Sequence, residues 1–423
     1  MTAKAFSGIS TKTRLMAGIG VLSLGLAAFG NTSHAAGFFV QELSSSGAGS
    51  SYAGQAAMPR DASIIFHNPS GITHLEDRQI NAAVHGLYVD TDVTDLGSTG
   101  GLPRFDEDGG NPGGFRAIPN FYFATPVTDD KNLWFGLAAT TPFGLGVDYD
   151  QNFFGAFTAQ KVELKTVDLT PTLSYQVNDW LSVGASAIIQ YGDINFQQFT
   201  AAGDLVRVKG DDYAYGYKIG ATLTPHEDWR IGLNYRSRVN QDFEGEINSV
   251  PSVPPSGINA GSASGTLNMP DIANLAVAYD LNDQWTVMGG VDWYGWNATD
   301  QVTIIPASGP NLPVNFAYEN TLNFNLGAEY VHDDKWTFRG GYQFDETPTT
   351  IEGRSFVNPD GDRHWFSAGT TYNYTQDISI DLAASYLLIE DGNVDQDRAG
   401  GVNVLGEADN SAVIGTIGLN YKF

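Results

Sequence analysis

Basic residues are scarce in this chain, and their spacing is its first chemical signal. The 423 residues hold 22 Lys and Arg against 48 Asp and Glu, a formal charge of −26. Lys218, Arg230, Arg236, Arg238, Arg339 and Arg363 lie in segments where apolar and polar residues alternate, always on the polar side of the alternation. Cations on an enclosed face bind a carboxylate through charge-assisted hydrogen bonds, or they join acids such as Asp212, Asp345 and Asp362 in a structural charge network. Both readings stand for each residue. Other chemistry is poorly represented. Zero Cys rules out thiolates and disulfides. No His accompanies a Gly-x-Ser-x-Gly nucleophile motif. Acidic runs such as Asp106-Glu107-Asp108 lack the spacing and glycine of a Ca²⁺ loop and read as solvated loops. The chain is therefore not expected to be an enzyme, and no metal or cofactor is expected. Nucleic acid is not an expected partner for so acidic a protein.

The elements that would position these cations are strands. From about residue 80 the sequence alternates in blocks of 10 to 15 residues, as in Ile378, Ile380, Leu382, Ala384, Tyr386 and Leu388 against Ser379, Asp381 and Ser385. Such blocks occur near 80–90, 117–127, 133–142, 162–177, 180–192, 211–225 and 229–242. They continue near 264–281, 284–302, 315–332, 335–345, 362–375, 377–390 and 411–423, which makes fourteen. Tight turns at Asp129-Asp130, Asn178-Asp179, Pro225-His226-Glu227, Asn282-Asp283 and Asp333-Asp334 alternate with connections of about 11 to 27 residues. Trp229, Trp285, Trp336 and Tyr374 sit at block ends. An even strand count, short and long connections in turn, and aromatic girdles are marks of a transmembrane β-barrel. The six cations would then face its lumen. Pro142, Gly144 and Gly146 close the third block, where a missing N–H and a flexible backbone favour a kink.

Both termini agree with export to an outer membrane. Lys4, Lys12 and Arg14 precede an apolar stretch from Leu15 to Phe29, and Ser33 and Ala35 supply the small residues of a cleavage site after Ala35. Removing 1–35 leaves 19 of the 22 Lys and Arg. The chain ends Leu419-Asn420-Tyr421-Lys422-Phe423, an outward-facing terminal aromatic like the signal read by the barrel-assembly machinery. Residues 36–79 do not alternate and hold Ser44-Ser45-Ser46-Gly47 beside apolar Phe38, Phe39, Ile64, Ile65 and Phe66. Such a segment cannot build a core of its own. A fourteen-stranded barrel has a lumen too wide for its own side chains to fill, so this segment is expected to be a plug, with the barrel over 80–423.

Several motifs carry a family resemblance over Ala36 to Phe423. They are Ala36-Gly37-Phe38, Ser44-Ser45-Ser46-Gly47, Asp61-Ala62 and Asn68-Pro69-Ser70, then Tyr235-Arg236-Ser237, Thr266-Leu267-Asn268-Met269-Pro270 and Trp336-Thr337-Phe338-Arg339. Pro359-Asp360-Gly361-Asp362-Arg363-His364-Trp365 with Ser367-Ala368-Gly369-Thr370-Thr371-Tyr372 is the strongest. Together they resemble the FadL-type outer-membrane transporters of long-chain fatty acids. The family has Asn-Pro-Ala where Ser70 stands here. The resemblance implies an all-β, 14-stranded barrel with an N-terminal hatch, capture of a long-chain fatty acid or similar hydrophobic molecule at outer loops, and lateral release near a kinked third strand. It assigns hatch gating to Asn68, Pro69 and Ser70 and places Phe38 at the ligand pocket. Arg236, Arg339 and Arg363 are the candidate partners of a fatty carboxylate. Lipopolysaccharide and outer-membrane lipid are the expected surroundings, and a monomer is expected. Uptake of aromatic or alkane hydrocarbons by the same route is the alternative, with a general porin or adhesin further off. The third outer loop, around 193–210, is short for the family and the fourth, 243–263, is rich in Pro, Gly and Ser, so Phe196, Phe199, Val250, Val253 and Ile258 would make only a smaller capture groove.

Overall fold

Alternation at period two becomes strands that place one set of side chains inside and the other in lipid. In the computed structural model, which describes residues 37–423 except 101–104, 251–258, 300 and 399, these strands form one closed antiparallel barrel. The signal segment 1–35 and its cleavage site lie outside the described residues, as do Val253 and Ile258. In chain order the wall is β1 (Gln79–Asp95), β2 (Gly114–Pro126), β3 (Leu133–Thr140, resuming at Gly144–Asp148), β4 (Lys161–Asn178), β5 (Leu181–Phe199), β6 (Leu205–His226) and β7 (Trp229–Arg236, resuming at Val239–Val250). It continues with β8 (Gly261–Met269 and Ile272–Asp280), β9 (Trp285–Tyr294 and Gln301–Pro306), β10 (Leu312–Asn315 and Thr321–Val331) and β11 (Trp336–Asp345). The last three are β12 (Arg363–Asn373), β13 (Ile378–Ile389 and Gly392–Arg398) and β14 (Val402–Lys422). β14 returns to pair with β1 from Gln79↔Lys422 to Asp95↔Gly406, so no edge is left unpaired in lipid.

The tight turns have a shared local cause. Asn178, Asn282 and Asp333 each accept backbone N–H groups just downstream, Trp180 at 3.1 Å, Trp285 at 3.0 Å and Trp336 at 2.8 Å. The same residue that closes the turn therefore fixes a Trp at or just before the start of the next strand, at the membrane boundary. At the opposite end the strands run further than alternation over the predicted blocks suggests. The segment 193–210, read as a loop, is mostly β5 and β6, joined at 200–204. Asn195 and Gln197 opposite Lys209 and Arg207 continue the ladder with polar side chains on both sides, and that masks it in the sequence.

Two interruptions reshape the wall. Thr140 opposes Asp168, whereas Gly144 opposes Lys165, so β3 carries one extra residue around Pro142. Above that point β2 and β3 share no ladder: their pairing covers only Phe121↔Ala139 to Pro126↔Trp134, and Gly114–Asn120 pairs with β1 alone. The result is a seam in the wall beside the kink. The second interruption is a bulge in β7, where Lys218 faces Arg236 but Asp211 faces Glu244. Ser237 completes it by accepting the Tyr217 N–H on its Oγ at 2.9 Å and donating its own N–H to the Tyr217 carbonyl. This bulge reverses the alternation. Arg236 stays inside, while Arg238 points out, its side chain 44% exposed and 3.4 Å from Asp271. The expectation that Arg238 faces the lumen is corrected accordingly.

Candidate functional site

Small residues let the N-terminal segment fill the lumen. Ser44 caps a single helical turn (Ser45–Ala48), its Oγ accepting from Gly47 N at 3.1 Å, and also bonds Ser63 at 2.7 Å and Gln55 at 3.1 Å. Ser45 reaches the wall at Asp381, 2.9 Å away. Opposite these residues the wall is thinned: a side chain at Gly184 would strike the Pro69-Ser70 backbone, one at Gly232 the Ala56 carbonyl, and one at Gly341 the Ser50 carbonyl. Arg60 bonds Glu329 at 2.7 Å, and Arg339 bonds the same Oε2 at 2.5 Å, so one buried carboxylate ties plug to wall.

Asn68-Pro69-Ser70 docks on β4, β5 and β6. Asn68 Nδ2 donates to Ala56 O at 2.8 Å and to Ala221 O and Thr222 Oγ1 at 3.1 Å each. Ser174 donates to the Pro69 carbonyl at 2.6 Å, and Ser70 Oγ lies 2.8 Å from Thr222 Oγ1. These three residues bond to the wall next to the seam rather than to the seam strands β2 and β3. The outer face over Gly184 and Gly220 forms a shallow concavity of about 940 Å³ lined by Leu173, Ile219, Leu233 and Leu275. The apolar side chains that line it are lipid-facing, so it belongs mainly to the membrane surface.

Residues Gly37–Val40 turn at Gly37-Phe38 and lie along the kinked part of β3, with one antiparallel bridge between Phe39 and Phe143. Gly37 N donates to Asp360 Oδ2 at 3.0 Å, and Asn358 donates back to the Gly37 carbonyl at 3.0 Å. Gly144 N donates to Phe38 O, and Val40 N to Pro142 O, both at 2.8 Å. The N-terminal strand is thus bonded to the kinked part of β3. Phe38 packs edge-on against Trp296 at 4.7 Å and Phe143 at 6.1 Å. Above it lies an apolar slot of about 70 Å³ whose walls include Leu145, Leu164, Phe196, Phe243 and Val302. That volume is well under the ~300–1,000 Å³ of a small-molecule site, and Phe38 forms part of its wall.

Below Phe39 the surroundings turn polar. A second chamber of about 30 Å³ is lined by Phe39, Gln41, His67, Asn234, Arg236 and Asp292 among others. Arg236 Nη1 bonds Asp168 at 2.7 Å, with both side chains at most 1% exposed. Its Nε and Nη2 have no partner among the described residues. The guanidinium stands 5.4 Å from the Phe143 ring and 5.8 Å from Phe66. Lys218, equally buried, donates to the Ile65 and Phe66 carbonyls at 2.9 and 2.7 Å. Arg236 is thus the cation bonded to Asp168, while Lys218 is held by the plug backbone. His67 adds no third charge: burial, then Lys218 and Arg60, push its imidazole down to about 3.

The remaining candidates are accounted for by acids other than those expected. Arg339 sits on Glu329 near the periplasmic end, and Arg363 on Asp360, which also holds Gly37. Arg230 pairs with Asp280 at 2.7 Å. Structure thus brings Phe38 to the slot and Arg236 to the chamber beneath it, and puts Arg339 and Arg363 in plug-to-wall contacts. Trp296, Phe143 and Asp360 line or anchor the N-terminal strand without having been singled out in the sequence. Only the contiguity of Asp360 with Arg363 in one motif offered a signal.

Comparison with known proteins fits this architecture. Residues 26–423 match the family model described as outer membrane protein transport protein (OMPP1/FadL/TodX). The long-chain fatty acid transport protein of Salmonella typhi is 27% identical over 401 residues, covering 86% of this chain and 90% of that one. Outer membrane protein P1 of Haemophilus influenzae is 28% identical over 404 residues, 84% of this chain and 86% of that one. A crystal structure of a Pseudomonas aeruginosa FadL homologue superposes with a TM-score of 0.85 at 25% identity, covering 91% and 99%. The Ralstonia pickettii toluene transporter TbuX shares the fold, at a TM-score of 0.66 and 18% identity over 87% and 95%.

Proposed function

Because the chain belongs to the OMPP1/FadL/TodX family of outer-membrane transport proteins, we propose that it carries long-chain fatty acids from the outer loops to a luminal pocket and releases them sideways through the β2–β3 seam. Membership makes it a transporter and not an enzyme. The observation that carries the fatty-acid reading is Arg236, a buried guanidinium with two unpartnered N–H edges directly under an apolar slot. Slot and chamber abut across Phe38-Phe39, which suits an amphiphile with its tail above and its carboxylate below. Lateral release follows from the tail: each CH₂ gains about 0.8 kcal/mol by staying out of water, so the bilayer is a better destination than the periplasm. In this reading Asn68, Pro69 and Ser70 hold the hatch seated, Phe38 gives way as ligand enters, and Arg339 and Arg363 keep the plug in register. The mature protein is a monomer of a 36–79 hatch and an 80–423 barrel, exported after cleavage at Ala35 and inserted by the barrel-assembly machinery.

A second reading, uptake of uncharged hydrocarbons, draws on the slot itself, whose lining is almost wholly aliphatic and aromatic. Uptake of radiolabelled oleate, hexadecane and toluene by cells lacking their own fatty-acid channel separates the two. Oleate uptake that depends on this protein supports the first reading. Toluene or hexadecane uptake without any gain for oleate replaces it with the second.

A further inference from the structure

The outer wall changes character abruptly on one side. Along β6 the outward residues run Leu223, Ala221, Ile219, Tyr217, Tyr215 and Tyr213, and then become Asp211, Lys209 and Arg207. From Leu223 to Tyr215 the strand climbs roughly 20 Å at 3.4 Å per residue and a 40° tilt, close to the ~25 Å apolar band of such barrels. Tyr213 and Tyr215, 63% and 72% exposed, therefore mark the outer girdle, and Tyr191 of β5 stands beside Tyr213 with ring centroids 5.0 Å apart. What lies immediately above is at the height of outer-leaflet headgroups.

The register defines that surface row by row. Lys165 opposes Asp193, which opposes Asp211, which opposes Glu244. The next row is Glu163, Asn195, Lys209 and Glu246, and the one above it begins Lys161, Gln197 and Arg207. Four of the chain's few cations thus share one patch, roughly 14 Å tall and 10 Å wide across β4–β6. Within it Lys161 bonds Asp148 at 2.7 Å and lies 3.6 Å from Glu163, and Arg207 Nε bonds Gln197 at 3.2 Å. Asp193 and Asp211 face each other directly, an arrangement that is unfavourable across a strand pair unless a cation screens it. No three acids or histidines among the described residues converge to hold a metal alone, so any divalent ion there must share its ligands with another molecule.

We propose that this patch is a docking surface for lipopolysaccharide. Lys161, Lys165, Arg207 and Lys209 contact the two phosphates of the lipid A headgroup, and Asp193, Asp211 and Glu244 face the divalent cations that those phosphates carry. The acyl chains then lie on the tyrosine band and the aliphatic wall beneath. A mixed patch fits this partner better than a plain anionic lipid: cations alone would serve a single phosphate, whereas opposed carboxylates favour a headgroup that brings its own divalent ions. β4 is also the strand that pairs with the kinked end of β3, so the docked lipid borders the seam.

The test is native mass spectrometry of the full mature protein in detergent, titrated with bisphosphoryl lipid A, monophosphoryl lipid A and phosphatidylglycerol in Mg²⁺ and in EDTA. K161Q/K165Q/R207Q/K209Q is compared with K131Q/K335Q, which removes lysines from periplasmic turns; heat-modifiability verifies folding. The first variant is expected to weaken bisphosphoryl lipid A binding at least roughly tenfold, with the control unchanged. Wild type should prefer the bisphosphoryl form, and EDTA should remove that preference. Equal binding by the quadruple variant, or equal binding of phosphatidylglycerol and lipid A by wild type, overturns the proposal. If the quadruple variant does not fold, K161Q/K165Q and R207Q/K209Q are measured separately, and undiminished binding by both overturns it equally.

Discussion

Neutralising the buried Arg236–Asp168 pair should separate carboxylate ligands from neutral ones of the same shape. Removing Arg236 alone would leave Asp168 buried with only Gln190, which bonds it at 2.7 Å, and breaking a buried pair in this way costs about 3–5 kcal/mol. The informative perturbation is therefore the double variant D168N/R236M, because replacing both charges is often close to neutral for stability. A carboxylate seated on Nε and Nη2 would lose charge-assisted hydrogen bonds worth about 1.5–3 kcal/mol. At 1.36 kcal/mol per decade that is roughly a 10- to 150-fold weaker Kd for palmitate. Hexadecanol has the same tail and no charge, and its affinity should stay within about twofold of wild type on the same scale. Titration of intrinsic fluorescence in detergent is a suitable assay, since Trp296 lies 4.7 Å from Phe38 and reports directly on entry into the slot. Equal weakening of palmitate and hexadecanol, or no change in either, would refute the assignment of Arg236 as the carboxylate partner.

Other outcomes follow from the plug. Gly37 has φ +63°, and a side chain there would come 2.6 Å from the Trp296 ring, so G37A should displace the N-terminal strand and depress ligand uptake while heat-modifiability shows an intact barrel. G232V would drive a side chain into the Ala56 carbonyl and unseat the hatch; planar-bilayer recordings should then show steady ion conductance that wild type lacks. Burial, set against its own and the Gln41 backbone hydrogen bonds and nearby Arg363, raises the Glu42 carboxyl from 4.5 to about 7. For an acid whose folded value is raised, hatch seating is strongest below pH 4.5 and weakens as pH climbs to 7, by up to about 3 kcal/mol. E42Q should flatten that dependence, read as hydrogen-exchange protection of the hatch amides between pH 4.5 and 7.5.

Much of the wall was legible because a barrel in lipid has two solvents, one per face, and period-two alternation follows directly from that. Residue types alone fixed fourteen blocks, the tight Asx turns ahead of Trp180, Trp285 and Trp336, and a break near Pro142. Alternation failed where a residue is inserted: nothing in Tyr235-Arg236-Ser237 announces that Ser237 reverses the faces and turns Arg238 outward. It also failed above the membrane, where β5 and β6 meet water on the outside, so polar outward residues read as loop. Charge pairing was within its reach only where the partners are local. Glu329 opposes Arg339 across one hairpin and Asp360 lies three residues before Arg363, but Asp168 is 68 residues from Arg236 and meets it only once the wall is assembled. The sequence determines which side chains need an interior, because that depends on solvation alone. Which of them meet Phe38, and which N–H edge of Arg236 goes without a partner among the described residues, is decided by the register of distant strands and by how one glycine-thinned wall accepts the hatch.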